Sequence, residues 1–361
     1  MTKAARIVGV EALADFDDFI DVRSPAEFAE DHLPGALSHP VLDDAERARV
    51  GTLYKQVSPF QARILGAGLV ARNIAAMLES AFAAKPREWR PLVYCWRGGQ
   101  RSGALAHVLT QVGWRAAQLE GGYKAYRRWV VDALATLPQR RSFVVICGLT
   151  GTGKSRLLQA LAQAGEQVLD LEALAAHRGS LLGDLPQVPQ PAQKMFDSRV
   201  LEVLRRCSPQ RPIYVESESK RIGALRLPDA LAARMWQSPC VRVELPLAQR
   251  VQLLEEEYVH FLAADGGLVA LLDRLVPLHG KARVASWQAL AQAGDWDALV
   301  ADLLHDHYDP AYRKSMLGHY PSFESAPALQ PEGTGEEAFR ALAQELARLH
   351  GAGLFPLAAT E

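Results

Sequence analysis

No uninterrupted apolar stretch of about eighteen residues occurs in this sequence, so a membrane-spanning helix is not expected. Paired cysteines are missing too. Cys95, Cys147, Cys207 and Cys240 stand far apart, with neither a C-x-x-C pair nor a histidine-rich metal spacing, which argues against a disulfide framework and a structural zinc site. The formal net charge is only −1, so the chain as a whole does not attract nucleic acid. An RNA partner would need a local patch, for which the segment holding Lys220, Arg221, Arg226, Arg234 and Arg242 is the candidate. Scattered, solvated arginines explain the same residues equally well. The N-terminal stretch reaches Asp15, Asp17 and Asp18 before any long apolar run develops, unlike a secretory signal. A cytoplasmic protein with no membrane partner is expected.

What is present is a large apolar fraction, 49%, in a chain of 361 residues, more than one hydrophobic core usually organises. Short apolar runs at Phe19–Val22, Pro91–Cys95 and Ala116–Leu119 alternate with helical patterns near 43–56, 61–82, 100–111 and 123–137. Strands separated by helices predict a parallel sheet covered on both faces. A polar break at Pro138–Arg141 precedes a second such series, with strands predicted at Phe143–Cys147, Gln167–Leu171, Pro212–Glu216 and Cys240–Leu245. Beyond Pro246 the pattern is almost wholly helical. The expected architecture is two α/β domains, residues 1–138 and 142–246, with a helical extension, 247–361, packed on the second. The proline-rich stretch Gly183–Pro191 is expected to be a surface loop.

Two loops carry chemistry. The first runs from Cys95 through Trp96, Arg97, Gly98, Gly99, Gln100 and Arg101 to Ser102, between a strand and a helix. Adjacent glycines let successive N–H groups converge, and the helix adds its positive end, so the loop should stabilise an anion. That anion could be the Cys95 thiolate or an oxyanion group brought beside it, with Arg97 and Arg101 as forked donors. Cys95 is therefore a candidate nucleophile. The same C-x5-R spacing also describes phosphatases that form a phosphocysteine, and spacing alone leaves both readings open.

The second loop, Gly148-Leu149-Thr150-Gly151-Thr152-Gly153-Lys154-Ser155, matches G-x-x-x-x-G-K-[ST] between the strand Phe143–Cys147 and an apolar helical pattern. Its N–H groups are expected to cradle phosphate oxygens, Lys154 to neutralise them, and Ser155 to reach Mg²⁺. Such a loop recognises a polyphosphate, and nothing in the sequence marks an adenine pocket. Asp170 and Glu172 after one strand, and Glu216 and Glu218 after another, could order Mg²⁺ or its waters; Asp170 could equally cap a helix. Cys147 reads as a small buried strand residue.

The segment FIDVRSPAEFAEDHLPGALSHP (Phe19–Pro40), with Asp21, Arg23, Glu27, Phe28, His32, Pro34, Gly35 and Ala36, resembles the N-terminal signature of rhodanese-like domains, and LEGGYKAYRRWV (Leu119–Val130) resembles the segment that follows their sulfur-transfer loop. That resemblance favours chalcogen transfer at Cys95. The cysteine loop is longer than in many rhodaneses and the region from about 41 to 90 is enlarged, which fits a larger, phosphate-bearing donor better than thiosulfate.

The whole arrangement, with CWRGGQRS, GLTGTGKS, LDLEALAAHRGS, VESESKRIG and HYDPAY, is similar to the tRNA 2-selenouridine synthase family, a rhodanese-like domain followed by a P-loop NTPase-like domain. The resemblance implies geranylation of 2-thiouridine at the tRNA wobble position from geranyl diphosphate, then replacement of the geranylthio group by selenium from selenophosphate. It further implies selenophosphate at Cys95, Arg97, Gly98, Gly99 and Arg101, diphosphate at Gly148 and Thr150–Ser155, and His177 and Arg178 beside the diphosphate or the tRNA. His307, Tyr308 and Asp309 are expected to reflect only a helix ending before Pro310. Two other readings remain: a cysteine phosphatase or sulfurtransferase fused to an ATP-dependent kinase, and a nucleotide-regulated chalcogen-carrier or tRNA-binding module.

Overall fold

The computed structural model describes residues 4–97, 99–180, 183–185, 188–258 and 267–351. The chain divides into two compact units, Met1–Ala133 with Ala192–Arg199, and Leu134–Pro191 with Val200–Glu361. Among the described residues no helix is long and apolar enough to cross a membrane.

The first unit is a five-stranded parallel sheet in the order β1-β5-β4-β2-β3. Its strands are β1 (Arg6–Val8), β2 (Asp18–Asp21), β3 (Leu37–Ser38), β4 (Pro91–Tyr94) and β5 (Ala117–Leu119). The central strand β4 is buried throughout, as a continuous apolar run flanked on both faces requires. Helix Gln100–Val112 covers it with Leu105, Ala106 and Leu109 against Ile20, Val22 and Val93. The enlarged region carries two helices, Asp44–Gln56 and Pro59–Glu79. Edge strands β1 and β3 are too short and too exposed to alternate, so no sequence pattern marks them.

The rhodanese-like signature acts here as a polar clasp. Arg23, fully buried, donates through Nε (3.0 Å) and Nη2 (2.6 Å) to Asp21 and through Nη2 to the Asp31 carbonyl. Its guanidinium also stacks over the Tyr123 ring at 4.1 Å. Removing one partner of a buried pair leaves a charge without compensation.

The second unit is a five-stranded parallel sheet in the order β12-β11-β6-β8-β7. It comprises β6 (Phe143–Cys147), β7 (Gln167–Leu169), β8 (Ile213–Glu216), β11 (Cys240–Val243) and β12 (Ala328–Leu329). A separate antiparallel pair, β9 (Arg221–Ile222) and β10 (Leu225–Arg226), turns at Gly223. Helix Lys154–Gln163 buries Leu157, Leu158 and Leu161 beneath Phe339, Leu342, Ala343 and Leu346 of helix Glu336–Gly351. The region beyond Pro246 is thus not wholly helical, because β12 completes one edge of this sheet. Its two residues lie between Pro327 and Pro331, where no strand periodicity can develop.

The expected basic patch also changes character. Lys220 pairs with Asp229 (2.8 Å), Arg234 donates to the Arg141 carbonyl, and Arg242 lies over the Phe323 ring. Of the proline-rich stretch, Pro186 and Gln187 lie outside the described residues. Asp184 forms an isolated bridge with His177.

Arg23→Met is expected to lower the stability of the first unit by about 3–5 kcal/mol, measured as a shift in its urea-unfolding midpoint. An unchanged midpoint would contradict the clasp.

Candidate active site

Cys95 emerges at the end of β4 and is 4% exposed. Its carbonyl accepts from the Tyr123 N–H (2.8 Å), and that of Trp96 from Lys124 (2.9 Å), so the LEGGYKAY segment holds the base of the loop. Gly99 precedes the first turn of helix Gln100–Val112. Ser102 projects from that turn and donates to Cys95 Sγ at 3.2 Å. Trp96, half-exposed, stacks on Tyr123 at 5.4 Å. Gly98 lies outside the described residues.

The two arginines differ. Arg97 is exposed, whereas Arg101 is bound to Glu27 (3.0 Å), which also pairs with Arg47 (2.9 Å). Burial raises the Glu27 carboxyl, but the hydrogen bond and charge of Arg101 outweigh it and hold the group ionised. Arg101 is thus oriented by a carboxylate rather than standing free, a pairing that its sequence spacing could not reveal.

The phosphate loop takes the strand–loop–helix form that its motif predicts. Gly151 and Gly153 adopt φ of +81° and +79°, and a side chain on Gly153 would collide with the Phe339 ring at 2.2 Å. Thr152 donates from Oγ1 to the Leu149 carbonyl (2.9 Å), and Lys154 Nζ to that of Gly148 (2.9 Å). Distant residues brace the loop. Arg250 donates to the Thr150 carbonyl (2.8 Å) and is clamped by Asp309, and Gly148 N–H donates to Tyr312 Oη (2.7 Å).

These contacts overturn the expectation for HYDPAY. The chain stays helical through Pro310, with a π turn at Leu304–Tyr308 leading into helix Asp309–His319, and Pro310 occupies its first turn. His307, Tyr308 and Tyr312 line the cavity at the phosphate loop, together with Lys154, Ser155 and Arg178.

Beside Lys154 stand three carboxyls, Glu172, Glu216 and Glu218, each with one oxygen within 4.8 Å of one oxygen of the other two. Glu216 Oε1 is buried without a hydrogen-bond partner. Asp170 is not among them, because its side chain caps helix Leu171–Ala175 through Ala173 N–H (2.8 Å). His177 turns away from the cavity. Its Nδ1 accepts from Gly179 N–H (3.1 Å) and its Nε2 faces Asp184 (3.4 Å). Burial depresses the imidazole pKa, so the ring is chiefly neutral and its role is to shape this turn. Arg178 pairs with Glu257 (3.1 Å) and lies over the Tyr258 ring (4.6 Å).

A second, almost wholly apolar chamber adjoins the phosphate cavity. Thr150, Ser180, Leu254, Tyr258 and Tyr308 line both. Beyond them the chamber is walled by Leu268, Trp296, Leu299, Val300, Leu303 and Leu304, and among the described residues Glu255 is the one charged residue that lines it. Sequence reasoning missed this chamber, since its walls read as ordinary helix faces.

A rhodanese-like profile matches residues 10–128, and a profile described as the tRNA 2-selenouridine synthase AAA domain matches residues 141–268. Together with the two loops, these matches define an enzyme class, the tRNA-modifying transferases that join a rhodanese-like domain to a P-loop domain. Curated tRNA 2-selenouridine synthases are similar over most of the chain. The one from Marinobacter nauticus is 35% identical, with 81% of this chain and 86% of that protein aligned, and the one from Cronobacter sakazakii is 37% identical, with 82% and 86% aligned. A relative from Nitrosomonas europaea is 37% identical over 66% of this chain and 63% of its own length. The chain belongs to the tRNA 2-selenouridine synthase family.

The carboxyl cluster makes stability depend on pH. Burial, then the neighbouring carboxylates, push Glu172 up to about 10; burial and Glu216 push Glu218 up to about 8. Carboxyls that keep their protons only when folded stabilise the fold fully below the ordinary glutamate range, and this contribution disappears as pH rises through those values. Thermal unfolding without divalent cations should therefore show a lower midpoint at about pH 9 than at about pH 6, and Glu172→Gln should flatten the difference. An equal midpoint at both pH values would refute the assignment.

Proposed function

We propose that this enzyme converts 2-thiouridine at the tRNA wobble position into 2-selenouridine through a geranylated intermediate, in the cytoplasm. The P-loop, Gly148 and Thr150–Ser155, holds the diphosphate of geranyl diphosphate. The thiouridine sulfur attacks the first carbon of the geranyl group, the carbon–oxygen bond breaks, and diphosphate leaves into the N–H groups of the loop and Lys154. Alkylation converts a poor leaving group on the base into a better one.

Selenophosphate delivers selenium at Cys95, with Arg97, Arg101 and the N–H groups of Gly98 and Gly99 receiving the phosphate oxygens. The selenium of selenophosphate bonds to the base carbon as the bond from that carbon to sulfur breaks and geranylthiolate departs; water then cleaves the selenium–phosphorus bond and phosphate leaves. The Glu27–Arg101 pair supports this role, because a guanidinium fixed on one edge keeps its other edge aimed.

One observation carries the choice of donor, namely the apolar chamber opening directly off the phosphate loop. A polyphosphate with a hydrocarbon tail satisfies both cavities at once, whereas a nucleobase would set its polar edge against leucines. Three carboxyls beside a polyanion need neutralising, and Glu172, Glu216 and Glu218 form an all-oxygen donor set suited to Mg²⁺, with one Glu216 oxygen unpartnered. Bound there, Mg²⁺ would screen the diphosphate charge.

Incubation with 2-thiouridine tRNA, geranyl diphosphate and selenophosphate, followed by nucleoside mass spectrometry, tests the scheme. Cys95→Ala should accumulate S-geranyl-2-thiouridine and form no selenouridine. Lys154→Ala should slow geranylation by about 10²-fold. If Lys154→Ala geranylates at the normal rate, the P-loop does not hold the donor.

A further inference from the structure

We propose that the apolar chamber measures the donor's hydrocarbon tail, with Trp296, Leu299 and Val300 setting the chain length that fits. This inference rests on the P-loop holding a prenyl diphosphate, and it assigns the selectivity for that donor to particular side chains.

The chamber has two ends. Thr150, Ser180, Leu254, Tyr258 and Tyr308 also border the phosphate cavity and so form the neck where head group and tail join. Away from the neck, the wall is one face of helix Trp296–Leu303, where Trp296, Leu299, Val300 and Leu303 recur at helical spacing. Asp295 fixes the start of that helix by accepting from Ala298 N–H at 3.3 Å. The following π turn, Leu304–Tyr308, brings both Leu304 and Tyr308 to the same chamber, so one segment supplies wall and neck.

The wall is backed by close-packed residues. Leu299 (1% exposed) and Leu303 (6% exposed) belong to one buried cluster with Leu272, Leu275, Val284 and Trp287. An overlong tail would have to displace this core, which close packing resists. Trp296 is different. It is only partly buried, packs against the edge of the same cluster, and is the bulkiest residue of the far wall. It can be cut away with the core left in place, whereas Val300 lines the chamber and is partly buried, so a larger side chain there would intrude into it.

A tail one isoprene unit too long would meet the indole of Trp296, and one unit too short would leave apolar wall uncovered. Discrimination between such donors lies in the hydrophobic contacts of the reacting complex, where each misfitted methylene changes kcat/KM about tenfold or more.

The test is a competition on the full-length enzyme among dimethylallyl, geranyl and farnesyl diphosphates, with 2-thiouridine tRNA as acceptor and nucleoside mass spectrometry as readout. Trp296→Ala should raise the farnesyl-to-geranyl ratio of kcat/KM by about tenfold or more, and Val300→Phe should raise the dimethylallyl-to-geranyl ratio by a similar factor. Because the two variants shift selectivity in opposite directions, poor folding of one leaves the other decisive. Unchanged ratios in an enzyme that still transfers geranyl overturn the length gauge and leave the proposed function standing. A wild-type enzyme that transfers none of the three overturns the prenyl-donor reading itself.

Discussion

The shape of the phosphate loop in the second unit depends on the buried guanidinium of Arg250. It reaches the carbonyl of Thr150 at the crest of the phosphate loop and is clamped by Asp309. A loop rich in glycine has little conformational preference of its own, so its curvature must be imposed from outside. Arg250 does this from one side, Tyr312 takes the Gly148 N–H from another, and the Phe339 ring fills the space that a side chain on Gly153 would need. The loop is sequence-local, but its shape is a tertiary property.

The same dependence explains what could be read from the chain. Both reactive loops were legible because a strand, a glycine turn and a helix follow one another within a dozen residues, and each step is a local preference. The clustering of Glu172 with Glu216 and Glu218 was half legible, since all lie at or within three residues of the ends of strands that a parallel sheet brings side by side. Asp170 was the misleading member, because a carboxylate just before a helix serves the helix first. The contributions of Tyr312 and Arg250, which brace the loop, and of Tyr308, which lines its cavity, were not legible, since they lie about a hundred residues or more beyond it and read locally as helix. For the two tyrosines the HYDPAY motif was a hint, but Pro310 made that segment look like a helix end.

Electrostatically the two loops solve opposite problems. Around Cys95 the charges are mostly cationic, Arg97 exposed and Arg101 half-buried, with Glu27 orienting Arg101 and Arg47. Around Lys154 the charges are buried and mostly acidic, so an anion enters only when carboxyl protons or a cation offset the glutamates.

The short strand β12 and the helix after it have a bearing on how the protein is made. The sheet that carries the P-loop is finished by Ala328–Leu329, and the loop itself is backed by Phe339, nearly two hundred residues after the strand that leads into it. Such long-range closure is slow relative to local helix formation. During translation the glycine loop is therefore synthesised long before its supports emerge, and the nascent unit exposes an open sheet edge at β11 in the meantime. The residues that back the phosphate loop from Phe339 and close its sheet at β12 are thus among the last of this unit to leave the ribosome.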